Sequence, residues 1–294
     1  MTDVDTDRRS FLGLGSADAA LATIGAVAVA AAAPIGAQAA AQSLNSNDTD
    51  ILNFALNLEY AETEYYLRGV LGTTADQVFG TSLGGSVKGG RKVAFSSKVH
   101  EGLFKNICGN EIQHVKFLRM VNGGAAIQRP RIDFDAGFAA VAQAAGLPDF
   151  DPFANEMNFF LGAMLFEDVG VTAYKGSAKN IRNKRVLESA AGILATEGYH
   201  MGAVRSVIYK MGDRARARSI AVSNLRDQLD GPQELDQPVI QIGDHSNVVP
   251  ANNNGIAYSR TPQHVLNIVY GNPAQGVMQG GFYPDGFNGR IRST

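Results

Sequence analysis

The sequence predicts an all-α protein whose body is a bundle of four helices. Apolar residues recur at spacings of three and four in four long segments, which is the period of a helix with one buried face. No run of alternating apolar and polar residues long enough for a sheet occurs between residues 48 and 230. Stretches rich in glycine or proline separate the segments, so each helix is expected to have a defined beginning and end.

Capping residues and helix-breaking residues define the expected boundaries. At the start of the third helix, Asp151 precedes Pro152, and proline is favoured in the first turn of a helix. Shorter helices are expected after Asp135, over residues 214–229, and between Thr261 and Gly271. The four long helices are expected over residues 48–70, 97–121, 151–174 and 183–210.

Charge and cysteine content exclude several classes of partner and site. The 294 residues include 26 Lys and Arg against 28 Asp and Glu, a formal net charge of -2, so no basic surface for nucleic acid is expected. Cys108 is the single cysteine, which excludes an intrachain disulfide and a cysteine-based zinc or iron-sulfur site. A metal site would therefore have to use histidine and carboxylate ligands.

The first 41 residues have the pattern of an export signal. Asp7-Arg8-Arg9-Ser10-Phe11-Leu12 precedes an Ala-, Gly- and Val-rich stretch over residues 19–33, and small residues continue from Pro34 to Ala41. The paired arginines followed by Phe-Leu resemble the twin-arginine signal. That resemblance implies transport to the periplasm or another extracytoplasmic location, with cleavage within residues 39–42.

A membrane anchor is the alternative interpretation of this segment, but the apolar stretch has 15 mostly small residues. A bilayer-spanning helix needs about 20, so no stable anchor is expected after cleavage. Three regions follow: a signal peptide over residues 1–41, a helical bundle over 42–230, and a Gly/Asn/Pro-rich C-terminal arm over 231–294.

Each of the four long helices has a glutamate in the row of residues that should face the core. These are Glu59, Glu111, Glu167 and Glu197. A buried carboxylate costs several kcal/mol unless it is paired or neutralised, and four that converge also repel one another. Two divalent cations would supply four positive charges and leave the cluster neutral.

Two of these glutamates are followed three residues later by a histidine: Glu111 by His114, and Glu197 by His200. Residues three apart on a helix are neighbours on its surface, so both side chains of such a pair can face one ion. The other two glutamates are each followed seven residues later by a tyrosine, Tyr66 or Tyr174. The bundle therefore has the pattern of one helical hairpin occurring twice.

These motifs resemble the ferritin-like superfamily. The export signal, the long loops and the Thr261-Pro262-Gln263-His264-Val265-Leu266 segment are more similar to its exported ferritin-like and desiccation-related branch than to a cage ferritin. The resemblance implies that two iron or manganese ions bind in the bundle. It also implies the ligand set: Glu111 and Glu197 bridge the ions, Glu59 and His114 complete one, and Glu167 and His200 complete the other.

The sequence departs from this family pattern beside both histidine motifs. Related bacterioferritin-like proteins often have Asp before the Glu of Glu-x-x-His, where this chain has Asn110 and Thr196. Hydrogen-bonded support for the two imidazoles is therefore an open question.

The expected function is redox chemistry with dioxygen or peroxide at a di-iron or di-manganese site, of the ferroxidase or oxidase kind. The alternative is a non-catalytic, stress- or desiccation-associated protein whose metal is structural. Tyr66 and Tyr174 are expected either to pack in the core or to hydrogen-bond the ligands and donate electrons. Homo-oligomer formation, and the choice between iron and manganese, stay open.

The remaining acidic and imidazole side chains are expected to lie outside the centre. Solvent-exposed positions are predicted for Glu62, Glu64, Glu101 and Glu188. His100, His245 and His264 are not expected to bind metal, because none of them belongs to a Glu-x-x-His pair.

Overall fold

A computed structural model describes residues 44–294, and the predicted signal peptide with its cleavage site lies outside the described residues. Eight α-helices dominate this part of the chain, which confirms the all-α prediction. They are α1 Ser46–Tyr66, α2 Ala75–Phe79, α3 Lys98–Asn122, α4 Phe134–Ala144, α5 Glu156–Ala178, α6 Lys184–Lys210, α7 Asp213–Asp230 and α8 Pro262–Tyr270.

Sheet structure in the described residues is limited to two short pairs. Strand β1 (Val87–Lys88) pairs parallel with β2 (Ile132–Asp133), and this pair joins the loop after α2 to the start of α4. Strand β3 (Gln241–Ile242) pairs antiparallel with β4 (His245–Ser246) in the arm.

Four helices form the bundle as two hairpins. Helix α1 packs mainly against α3, and α5 packs mainly against α6, while α1 with α5 and α3 with α6 form the contacts between the hairpins. Leu56 of α1, Phe104 of α3 and Phe160 of α5 are fully buried where the helices meet. The repeated hairpin in the sequence therefore corresponds to two neighbouring helix pairs in space.

Helix α5 begins later than predicted. It starts at Glu156, capped by Asn155, whose side chain accepts a hydrogen bond from the Asn158 backbone. Asp151 instead accepts from the Phe153 backbone in a turn that precedes the helix. The prediction of a start at Asp151 was wrong. The ring of Phe153 packs against Tyr65, and the chain around Phe153 forms a loop that precedes the helix.

Helix α1 also ends differently from the prediction. Its α-helical part stops at Tyr66, and a π-helical turn over Leu67–Leu71 leads to Gly72. Gly72 has φ 70°, a left-handed conformation that glycine adopts without strain. Helix α2 was not predicted from the sequence, and it consists of one short turn with a capping box formed by Thr74 and Gln77.

The C-terminal arm is ordered along the bundle. Helix α8 packs against α7 and α5, and the Phe282 backbone N–H donates to the carbonyl of Val269 at 3.0 Å. Near the end of the chain, Asn57 of α1 and Asn288 exchange two hydrogen bonds of 2.9 and 3.0 Å. The arm thereby covers the α1–α5 side of the bundle.

Within residues 44–294, none of the helices combines the length and the apolar character that crossing a bilayer requires.

Candidate metal centre

All six side chains that were predicted as ligands meet inside the bundle. Helices α1 and α5 each supply one glutamate, and α3 and α6 each supply a glutamate and a histidine three residues later. All six residues are buried, the most exposed being His114 at 7%. They are Glu59, Glu111, His114, Glu167, Glu197 and His200.

These side chains form two overlapping groups. One contains Glu59 and His114, the other contains Glu167 and His200, and Glu111 and Glu197 belong to both. Within each group, one possible ligand atom from every residue lies within 4.8 Å of the others. Two adjacent positions for a cation therefore share two carboxylates.

Both imidazoles direct their Nδ1 atom toward the carboxylates at the centre. Nδ1 of His114 lies 3.3 Å from Glu59 Oε2 and 3.2 Å from Glu197 Oε1. Nδ1 of His200 lies 3.1 Å from Glu111 Oε1 and 3.3 Å from Glu167 Oε2. Each imidazole thus faces the carboxylate that belongs to its own group alone and at least one shared carboxylate, since His114 Nδ1 also lies 3.5 Å from Glu111 Oε2.

Two tyrosines hold the carboxylates that belong to only one group. Tyr174 of α5 donates its hydroxyl to Glu59 Oε1 of α1 at 2.5 Å, and Tyr66 of α1 donates to Glu167 Oε1 of α5. Both rings are also buried. Of the two alternatives drawn from the sequence, these contacts favour hydrogen bonding to the carboxylates over core packing alone.

The remaining polar atoms at the centre are buried and have no hydrogen-bond partner among the described residues. This is costly, since a buried polar group without a partner loses its hydration without compensation. Carboxylate oxygens and imidazole nitrogens are ligands for divalent cations, so these residues fit a divalent metal site. The atoms are Oε2 of Glu59 and Glu167, both carboxylate oxygens of Glu111 and Glu197, and Nδ1 of His114 and His200.

Protons compete with cations for these atoms. Burial raises the pKa of Glu59 to about 7, although the nearby His114 opposes the shift. Burial also raises the pKa of Glu197 well above its ordinary value, and the charge of Glu111 adds to it. Burial lowers the pKa of His200, but Glu167 and Glu111 outweigh it and raise the value to about 11. Cations that bind here must therefore displace protons from both kinds of ligand.

Glu111 shows the opposite shift. Burial raises the pKa of its carboxyl, but His114 and His200 outweigh burial and hold that pKa below the ordinary value. Glu111 is thus the carboxylate that keeps its negative charge most readily between the two imidazoles.

The prediction that Glu62 and Glu64 are solvent-exposed was wrong. Glu64 is fully buried and paired with Arg68 at 2.9 Å and with Arg129. Glu62 is 3% exposed, and burial, followed by the charge of Glu197, raises its pKa well above the ordinary value. The sequence does contain a signal for Glu62, because it lies one helical turn after Glu59 and therefore on a neighbouring part of the same face.

Glu188 is exposed, as predicted, and Glu101 is partly exposed and pairs with Lys98 and Lys105. His100 lies 2.6 Å from Glu156 Oε1, at the beginning of α5. In the described residues, neither group of potential ligands includes His100, His245 or His264.

Thr196, which stands where related proteins often have Asp before Glu-x-x-His, forms no hydrogen bond with the imidazole of His200. Thr196 donates its hydroxyl to the Gly192 carbonyl within α6. Nε2 of His200 is buried without a hydrogen-bond partner among residues 44–294. This imidazole is therefore oriented by the carboxylates in front of it and not by an acidic residue behind it.

Comparisons with known proteins agree with this arrangement. The sequence profile of the ferritin-like domain matches residues 47–210. The chain is 30% identical over 265 residues to the ferritin-like catalase Nec2 of Nesocodon mauritianus, with 83% of this chain and 84% of the relative covered. It is 27% identical over 241 residues to the desiccation-related protein PCC13-62 of Craterostigma plantagineum, with 75% and 76% covered.

No solved structure matches the chain significantly. The profile match spans the four bundle helices, and the relative at 30% identity extends the similarity over most of the chain. The chain therefore belongs to the ferritin-like domain family.

Proposed function

We propose that this chain is an exported protein that binds two iron or manganese ions in its bundle and uses them in redox chemistry with peroxide or dioxygen. The observation that carries the proposal is the set of buried carboxylate oxygens and imidazole nitrogens that lack hydrogen-bond partners. They converge in two groups that share Glu111 and Glu197.

The hydrogen bonds assign different roles to the four carboxylates. Glu111 and Glu197 have both oxygens free of hydrogen bonds, which suits a carboxylate that bridges two cations. Glu59 and Glu167 each have one oxygen bonded to a tyrosine and one oxygen free, which suits binding to a single cation. His114 and His200 supply the nitrogen ligands.

Two such ions would supply two electrons, one from each ion, which with two protons reduce one peroxide to water, and a second peroxide oxidised to dioxygen would return the two electrons and two protons. The chain's own contribution is to exclude bulk water and to fix the ligands. The buried side chains of the bundle surround the centre, and Tyr66 and Tyr174 restrain the carboxylates from the opposite hairpin. Restrained ligands reduce the reorganisation that each electron transfer needs.

Peroxide is the substrate that the similarities favour. The relative at 30% identity is named a catalase, and its similarity covers most of both chains. We infer that this chain likewise acts on hydrogen peroxide, with dioxygen as the alternative oxidant.

A second candidate function is a non-catalytic role in which the metal only holds the bundle together. The similarity to a desiccation-related protein favours it. Peroxide decay separates the two candidates, because a purely structural centre should give no turnover above that of the free metal ion.

Export rests on residues 1–41, whose arginine pair, apolar stretch and small residues are typical of a twin-arginine signal. The mass of the protein recovered from outside the cytoplasm should correspond to a chain that begins within residues 40–42. A full-length chain that stays in the cytoplasm would contradict this part of the proposal.

The central test is metal analysis of the purified protein and of glutamate variants. The wild-type protein should bind about two ions per chain. Glu197→Gln removes a shared ligand at nearly constant volume and should lose at least one ion and most peroxide turnover. Glu188→Gln is the matched control, because Glu188 lies on the same helix and is exposed. Equal metal content in all three proteins would overturn the ligand assignment.

A further inference from the structure

The two hairpins differ at one pair of equivalent positions beside the metal centre. Glu59 of α1 and Glu167 of α5 are each followed by a tyrosine seven residues later. The residue three positions after the glutamate, however, is Glu62 in α1 and Gly170 in α5. The repeated pattern thus has an additional carboxyl on one side and no side chain on the other.

The two positions adjoin one another in space. A Cβ atom placed on Gly170 would lie 2.7 Å from Glu197 Oε2 and 3.2 Å from Glu62 Oε1. The missing side chain therefore leaves the space that both carboxyls occupy. Glu62 is 3% exposed, so its carboxyl is buried beside that of Glu197.

Glu62 and Gly170 also line a small pocket between the bundle and the arm. The pocket is small: its cavity volume is about 10 Å³, which is room for about one water-sized molecule. Apart from Glu62, its walls contain no carboxylate and are largely aliphatic and aromatic. They comprise Leu58 of α1, Leu165, Phe166 and Val169 of α5, and Ile268, Val269, Phe282 and Tyr283 of the arm.

We infer that this pocket is the route by which a small uncharged oxidant, of the size of peroxide or dioxygen, reaches the centre. The inference rests on the proposed function. An apolar wall disfavours ions, which would lose hydration without compensation, and admits neutral molecules. Glu62 provides a hydrogen-bonding group at the inner end, next to Glu197, where such a molecule arrives.

The arm forms one wall of this route. Ile268 and Val269 come from α8, and Phe282 and Tyr283 come from the segment that follows it. Tyr283 is held in place because its hydroxyl donates to the Asn57 carbonyl of α1 at 3.1 Å. Arm residues therefore form one side of the route, and since none of them is one of the six predicted ligands, they can be substituted without changing the ligand set.

The test uses a substitution in the arm that makes the route narrower. Ile268→Phe places a larger side chain in the pocket wall and so leaves less free space. Ile51→Phe is the matched control. Ile51 is similarly buried and lines a separate pocket, also of about 10 Å³, between α1, α5 and α6. The Fe(II)-loaded proteins are mixed with nitric oxide, a small uncharged probe, and the absorbance change is followed by stopped flow, with iron content measured in parallel.

Ile268→Phe should slow nitric oxide binding about tenfold, which is a change of about 1.4 kcal/mol in the barrier, while iron content stays at the wild-type level. Ile51→Phe should leave the rate within about twofold of the wild type. If Ile268→Phe folds poorly, Ile268→Ala gives the opposite test, because it widens the pocket and should make binding faster than in the wild type.

Equal nitric oxide rates in the wild type, Ile268→Phe and Ile268→Ala would overturn the inferred route. A slower rate in Ile268→Ala than in the wild type would also overturn it. Peroxide decay, measured on the same samples, tests the proposed function separately. A wild-type protein that binds iron and nitric oxide but does not consume peroxide contradicts the peroxide chemistry, while the difference between variants still reports on the route.

Discussion

The hydroxyls of Tyr66 and Tyr174 each occupy one oxygen of a glutamate in the opposite hairpin. A hydroxyl that donates to a carboxylate forms a stronger hydrogen bond than one between neutral groups. The second oxygen of each carboxylate stays free and points toward the centre. The two tyrosines therefore both join the hairpins and determine which carboxylate oxygens face a cation.

Tyr66→Phe and Tyr174→Phe should weaken metal binding without abolishing it. Each substitution frees a carboxylate oxygen and lets the carboxylate rotate, and a hydrogen bond to a charged group contributes about 1.5–3 kcal/mol. We expect the dissociation constant for the more weakly bound ion to rise about tenfold or more. Competition with a chelator of known affinity measures this change.

Tyr65→Phe is the control for this prediction. Tyr65 is also fully buried, but its hydroxyl donates to the Phe159 carbonyl and not to a carboxylate. This variant should lower the free energy of unfolding while leaving metal affinity unchanged. A similar loss of affinity in all three variants would show that general loosening of the core, and not the bond to the carboxylate, is responsible.

The convergence of the six side chains could be predicted because helical geometry fixes which residues of one helix share a face. Glu111 with His114 and Glu197 with His200 follow from that rule alone. The burial of Glu62 could not be predicted in the same way. It depends on Gly170 of another helix and on arm residues more than 200 positions later, which the spacing within α1 does not report.

At the scale of elements, the beginning of α5 shows how two good capping residues compete. Asp151 and Asn155 both have side chains that accept backbone hydrogen bonds, and both are followed by residues that can start a helix. Local sequence favours the earlier one because of Pro152. The ring of Phe153, packed against Tyr65 and Phe138, keeps the preceding loop out of helical geometry.

Asn155→Ala should therefore destabilise the protein by about 1 kcal/mol, because it removes the cap of a long bundle helix. Urea or thermal unfolding measures the change. Asp151→Ala should have a smaller effect, since its turn precedes the helix and its ion pair with Arg91 is exposed. If Asp151→Ala proved the more damaging substitution, the helix would begin where the sequence pattern alone places it.

The other elements were predicted to different degrees for physical reasons. Helices α3, α6, α7 and α8 begin and end within about two residues of the expected positions, since a capping residue or a glycine flanks each of them. Helix α2 was missed because one turn is too short to show a period. The short strand pairs were missed because two-residue strands carry no alternation.

At the scale of the whole molecule, buried arginines attach the arm to the bundle. Arg226 of α7 and Arg260 of the arm both bind Asp236, and Arg226 also donates to Asp168 of α5 at 2.8 Å. Arg205 of α6 donates to Asp168 as well, at 2.8 Å. Since Asp168 follows the predicted ligand Glu167, the same network connects the arm to the helix that carries the centre.

Asp236→Asn should destabilise the protein strongly, because it removes one negative partner from each of two buried guanidinium groups, which then keep only Asp168 and Asp230 as acidic partners. Loss of one partner of a buried ion pair costs about 3–5 kcal/mol. Thermal unfolding measures the loss, and Asp244→Asn is the control, since Asp244 is fully exposed in the same arm. Similar unfolding temperatures for the two variants would contradict a role for the network in holding the arm.

The dependence on pH has a definite sign. Burial raises the pKa of Asp236, but Arg226 and Arg260 outweigh burial and hold it below the ordinary value. A carboxyl whose pKa is lower in the folded state stabilises the protein above its ordinary pKa, and that contribution is lost as the pH falls below it. Wild-type stability should therefore fall below about pH 4, and Asp236→Asn should remove this part of the acid sensitivity.

The pairing of Asn57 with Asn288 joins positions 231 residues apart in the sequence. During synthesis, α1 leaves the ribosome long before the segment that seals its outer side has been translated. The pocket beside Glu62 therefore lacks one wall in every nascent chain until residues 268–283 have been translated. All four bundle helices are made before that wall exists, so the helices that carry the predicted ligands can associate before the arm packs against them.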